Sequence, residues 1–146
     1  MKIHLAWVGK TKERFIREGM QKYLDLLQPY ADVVITEIRE EKVKDIGRML
    51  GKERERIQDL RAPYVLLDEK GEHLDSVAFS RFIEKQGRSV TFLLGGAYGV
   101  SDAVKAGAAK TIALSAMTFT HEMSRLILLE QLYRAFTILR KKGYHH

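Results

Sequence analysis

The chain has 146 residues, with 25 Lys plus Arg against 19 Asp plus Glu and no cysteine. Its length fits a single domain spanning residues 1–146, and the missing thiols exclude a disulfide scaffold, a cysteine nucleophile and thiolate-held metals. No apolar run approaches the roughly 18 residues that span a bilayer, and Lys10, Lys12, Glu13 and Arg14 interrupt any secretory signal, so a soluble cytoplasmic protein without membrane contact is expected.

Lys2 to Val8 reads as a strand ended by Gly9. Thr11 is then placed to cap a helix running to about Gln28, with Phe15, Ile16, Met20, Tyr23, Leu24 and Leu27 on its apolar stripe and Pro29 beyond its end. Val33, Val34, Ile35 and Ile38 form a second strand. Between Lys42 and Leu60 the apolar residues thin out among charges, which fits a surface helix or a mobile segment. Tyr64 to Leu67 is a continuous apolar run stopped by Asp68-Glu69-Lys70-Gly71, as in a buried parallel strand. A helix follows from Ser76 to Lys85, a buried strand from Val90 to Leu94, a short helix from about Ser101 to Ala109, and a strand from Thr111 to Leu114. The last helix runs from about His121 to Lys141. Strands alternating with helices predict an α/β fold, a mostly parallel sheet flanked by helices.

That last helix is apolar almost all round, from Met123 through Leu126, Leu129 and Leu132 to Leu139. A surface helix buries one stripe, so this one must bury two faces, against a second copy of the chain or as a central helix within one copy. The charge is also uneven. Residues 74–146 carry 10 basic and 5 acidic side chains, against 15 and 14 in residues 1–73. The excess gathers after His121, at Arg125, Arg134, Arg140, Lys141 and Lys142, and suggests an anionic partner such as RNA or DNA phosphates, or simply cations completing a helix C-terminus.

In a parallel sheet, ligands bind outside the carboxyl ends of the strands. Three such ends stand out: Leu67 to Gly71, Gly95 to Gly99, and Ser115 to Thr120. The glycines at 95, 96 and 99 let backbone approach a ligand, yet they match neither Gly-x-Gly-x-x-Gly nor a P-loop, which disfavours Rossmann and Walker sites and with them a flavodoxin-like phosphate or nucleotide binder. His121-Glu122-Met123-Ser124-Arg125 lacks the second histidine of a zinc helix, so no metal is expected. His121 instead caps or orients the helix start, where the dipole disfavours its protonated form.

Four stretches in order now carry a resemblance: Leu93 to Gly99, Leu114 to His121, Glu130 to Ala135, and Tyr144-His145. With the opening Met1-Lys2-Ile3 and Val8-Gly9-Lys10, the whole chain resembles the RlmH family of SPOUT-class enzymes. The resemblance implies methylation of N3 of a pseudouridine in helix 69 of bacterial 23S ribosomal RNA, within the assembled ribosome, by a homodimer using S-adenosylmethionine. It also implies a C-terminal segment threaded into a deep trefoil knot. Carried over residue by residue, the cofactor would lie on Leu67, Gly96, Leu114, Ser115, Ala116, Met117, Thr118 and Phe119. Tyr144, His145 and Arg134 would be the catalytic residues, with Tyr144 and His145 positioning or deprotonating the base and Arg134, Arg125 and Arg140 holding phosphates. A methyltransferase acting on another RNA nucleotide and a non-catalytic ribosome-binding module are the competing readings.

Overall fold

The computed structural model describes residues 1–60 and 63–146. Five parallel strands, β1 (Lys2–Val8), β2 (Asp32–Ile38), β3 (Val65–His73), β4 (Ser89–Leu94) and β5 (Lys110–Ala113), lie in the order β2-β1-β4-β3-β5. Alternating residues of β1 serve both faces of the sheet. Ile3, Leu5 and Trp7 enter the larger core under helices α1 (Arg14–Leu27), α3 (Ser76–Lys85) and α5 (His121–Leu139). Ala6 and Val8 enter a smaller core under α2 (Ile46–Gln58) and α4 (Asp102–Gly107). The expected α/β architecture, a parallel sheet flanked by helices, is therefore what forms.

Local chemistry explains most element boundaries. Asp45, Asp75, Ser101 and Thr120 each accept a backbone N–H from the first turn of the helix they precede, closing α2, α3, α4 and α5. Helix α1 is different. Its N-cap is Glu13, without a side-chain cap bond, so Thr11 is not the cap its sequence suggests. The side chain of Glu122, from α5, accepts the N–H groups of Lys12 and Glu13 at 2.8 and 3.0 Å instead. Phe15 also departs from the expected stripe, since it is 60% exposed while Ile16 beside it is buried. The charged stretch after Lys42 resolves as helix α2, seated by Met49, Glu53 and Ile57. Among the described residues no helix is long and apolar enough to cross a membrane.

Two features position the functional end of the sheet. Strand β3 slips register between Leu67 and Glu72, both of which pair with Ile112. Residues 68–70 are thereby pushed out as a lip, while a Cβ on Gly71 would stand 2.7 Å from the backbone of Thr111 and Ile112, so no side chain fits there. Helix α5 packs against both α1 and α3, so much of its two-sided apolar surface is covered within one chain. Met123, Leu126 and Tyr133 remain only partly buried.

Helix α5 ends in a Schellman turn. Lys142 N–H donates to the Thr137 carbonyl at 2.8 Å and Lys141 N–H to that of Ile138 at 3.0 Å. Lys141 occupies the left-handed position that glycine usually takes, with φ of 53°. A side chain in that conformation costs roughly 1–2 kcal/mol.

Candidate functional site

The three strand ends singled out in the sequence converge on one cleft of about 450 Å³, within the roughly 300–1,000 Å³ typical of small-molecule sites. Leu67, Gly96, Leu114, Ser115, Met117, Thr118 and Phe119 line it. Ala116, expected with them, does not contribute to the wall. Asp68, Glu69 and Lys70, within the strand end expected to hold a ligand though not in the set carried over from the resemblance, line it from the β3 lip, and the sequence reading missed Lys105 from α4 and His121 and Ser124 from α5. The lip crosses the mouth: Thr118 Oγ1 donates to Glu69 at 2.6 Å, and Lys105 pairs with Asp68 at 3.4 Å.

The glycine loop has its own internal logic. A Cβ on Gly95 would meet the Gly99 backbone at 2.7 Å, and Gly99 N–H closes a turn onto the Gly96 carbonyl at 3.0 Å. Gly99 has φ of 73°, which suits glycine. All three glycines line the cleft, and Gly96 alone combines an ordinary φ with room for a Cβ, against Val8 at 3.4 Å. So Gly95 and Gly99 fold the loop as well as line it.

The first turn of α5 is the partition beside the cleft. His121 and Ser124 face the cleft, while Glu122 and Arg125 face the β1–α1 loop. Burial and the nearby Arg125 push the His121 imidazole below the ordinary histidine range, so it is neutral at neutral pH. Thr120, not His121, caps the helix. Arg125 is 0% exposed, which corrects its expected role as a phosphate contact. Its Nη2 donates to the Val8 carbonyl at 2.7 Å, its Nη1 to Thr11 at 2.9 Å, and the group lies 5.1 Å from the centre of the Trp7 ring.

The expected catalytic trio gathers elsewhere. Arg134 binds Glu130 through Nε and Nη2 at 3.0 and 2.6 Å and donates to His145 Nδ1 at 3.3 Å. Tyr144 donates to the same Glu130 oxygen at 3.2 Å, lies within 3.5 Å of the Tyr23 hydroxyl, and carries the Arg134 guanidinium over its ring at 4.8 Å. Burial, the Tyr23 hydroxyl and the Glu130 charge hold the Tyr144 phenol far above its usual range, so it stays protonated. Glu130 was missed as a functional residue, although its i,i+4 spacing to Arg134 signals the pair. Arg134 lies thirteen residues beyond His121, a rise of about 20 Å along α5. The cleft therefore lies at the start of α5, while the tail of the same chain folds back onto the stretch from Glu130 to Arg134, about 14–20 Å further along the axis.

The family model described as "Predicted SPOUT methyltransferase" matches residues 1–145. The chain belongs to the SPOUT methyltransferases, in the RlmH family. It is 44% identical to "Ribosomal RNA large subunit methyltransferase H" of Geotalea daltonii, with all of both chains covered. The protein of that name from Geobacter sulfurreducens is 42% identical, again with both chains fully covered. A probable methylase family protein from Haemophilus influenzae has the same fold, with a TM-score of 0.60 at 6% identity over 99% of this chain and 70% of that one. A probable methyltransferase from Bordetella pertussis gives a TM-score of 0.54 at 9% identity over 91% of this chain and 95% of its own. The RlmH resemblance drawn from the sequence is thus borne out.

Proposed function

We propose that the chain transfers a methyl group from S-adenosylmethionine to N3 of a pseudouridine in helix 69 of 23S ribosomal RNA, as a cytoplasmic homodimer acting on the assembled ribosome. The observation that carries this is the cleft. Seven of the eight residues that the resemblance assigns to the cofactor line one cavity of suitable size at the strand ends. The trefoil knot belongs to the same reading.

The cleft fits the cofactor chemically. The wall sets Asp68 and Glu69 against Lys70 and Lys105, charges of both signs that suit a ligand carrying a sulfonium, an ammonium and a carboxylate, and a neutral His121 adds no repulsion. Leu67, Leu114 and Phe119 offer apolar wall, and Gly96 exposes backbone. When bound, S-adenosylmethionine supplies an electrophilic methyl group on a sulfonium sulfur. The protein orients the base, a contribution that reaches effective molarities of about 10⁵–10⁸ M in well-aligned systems.

Within the tail, the roles divide. Tyr144 stays protonated and positions the base through its hydroxyl, while His145 takes the N3 proton at Nδ1, the one lone pair of its neutral ring, once Arg134 turns from it to the RNA, a form of help worth about 10²–10⁴-fold. Arg134 anchors His145 directly and Tyr144 through Glu130 and is placed to meet a phosphate, with Arg140 beyond it. Because tail and cleft stand apart on one chain, each active site takes its cleft from one protomer and its tail from the other. The exposed Phe15 and the half-buried Met123 and Leu126 supply an apolar α1–α5 surface for the second copy.

The test is calorimetric titration with S-adenosylmethionine, light scattering, and labelled methyl transfer to ribosomes lacking the mark. A chain without residues 144–146 is expected to bind the cofactor normally and transfer nothing. A folded dimer that binds no cofactor, with or without ribosomes, overturns the reading.

A further inference from the structure

Lys141 is the one non-glycine residue with a positive φ among the described residues, and it sits where the turn ending α5 favours glycine. A glycine is at hand in the sequence, two residues later at Gly143. The chain therefore keeps a long cationic side chain at a position where removing it relieves strain. Strained positions gather where function holds them.

Its surroundings say what the charge is for. Arg140, Lys141 and Lys142 are consecutive and exposed, and no acidic side chain pairs with any of them among the described residues. Lys142 is drawn over the Tyr30 ring at 5.4 Å, which fixes its direction. The turn leads straight into the tail, since Tyr144 N–H donates to the Lys142 carbonyl at 2.9 Å. The cationic turn thus borders the tail that carries Tyr144 and His145.

We propose that Lys141 is a phosphate-binding residue for the substrate RNA, kept in a left-handed conformation so that its ammonium stands beside the catalytic tail. This rests on the methyltransferase reading above. A cation at α5's C-terminus also interacts with the helix dipole, but that interaction acts on stability alone and requires nothing of RNA.

The experiment compares wild type with Lys141→Gly, Lys141→Asn and Lys141→Arg in thermal unfolding, cofactor titration and steady-state methyl transfer to ribosomes at several salt concentrations. Lys141→Gly is expected to melt about 3–5 °C higher. It should bind cofactor as wild type does, yet show a KM for ribosomes raised on the order of five-fold at unchanged kcat, with a salt slope shallower by about one. Lys141→Asn should share the loss in KM, and Lys141→Arg should retain the wild-type value. An active wild type matched in KM and salt slope by Lys141→Gly overturns this inference alone. A wild type that binds no cofactor and transfers no methyl overturns the functional reading and this inference with it.

Discussion

Arg125 and Thr11 are 114 residues apart in the chain, and a buried hydrogen bond of 2.9 Å joins them beneath the wall of the candidate cofactor cleft. With the bond from Arg125 to the Val8 carbonyl and those from Lys12 and Glu13 to Glu122, it clasps the first turn of α5 to the β1–α1 loop. The clasp predicts a large cost for Arg125→Met, which leaves the Val8 carbonyl and the Thr11 hydroxyl buried without their donor. At about 1–3 kcal/mol for each group so orphaned, a loss of about 3 kcal/mol is expected in urea unfolding. A loss below about 1 kcal/mol would mean that the loop closes as well without the guanidinium.

Gly95→Ala should damage the cleft without unfolding the sheet. The added Cβ meets the Gly99 backbone at 2.7 Å, so the 95–99 turn must move, whereas for Gly96→Ala the nearest atom is on the Val8 side chain at 3.4 Å. Calorimetry is expected to give at least a ten-fold weaker cofactor affinity for Gly95→Ala and a change within about three-fold for Gly96→Ala, where 1.4 kcal/mol separates each decade. The reverse order would make Gly96 the close-approach residue.

The contrast between these glycines marks the limit of a sequence. The strand ending at Gly9 and the helix from Ser76 to Lys85 were legible because apolar periodicity and a local signal agree there. The three loops of the cleft were legible because parallel strands bring their carboxyl ends together. Thr11 was misread as a cap because its hydroxyl answers to Arg125, which no local pattern contains. Arg125 itself was read as a surface cation because arginine is seldom fully buried unless paired. The separation of Tyr144 from the cleft was hidden for another reason: order along a chain carries no distance, and only the folded-back tail on Glu130 reveals it.

The depressed His121 pKa has a definite sign in stability. The folded state binds fewer protons than the unfolded state once pH falls below the ordinary histidine value of about 6.5. Stability contributed by neutral His121 is therefore complete above that value and is lost as pH falls from it towards the lower folded-state pKa. Urea midpoints measured from pH 7.5 to 5.5 should decline less in His121→Gln than in wild type. Parallel curves would show that His121 is not the residue titrating. The same protonation places a positive charge on the cleft wall, so affinity for the cationic cofactor should fall over the same window in wild type and stay flatter in the variant.

A mixed dimer tests the division of each active site between protomers. Gly95→Val disables a cleft, and Arg134→Ala disables a tail by removing the guanidinium that joins Glu130 and His145. Each variant alone should be inactive. In a random mixture of the two, half the dimers are mixed, and each mixed dimer unites the intact cleft of the Arg134→Ala chain with the intact tail of the Gly95→Val chain at one of its two sites. Recovery of about a quarter of wild-type methyl transfer is therefore expected from co-expressed chains, with twofold symmetry setting the count. If cleft and tail of one chain worked together, neither protomer of a mixed dimer would hold a complete site and the mixture would stay inactive. The roughly 20 Å rise along α5 between His121 and Arg134 favours recovery.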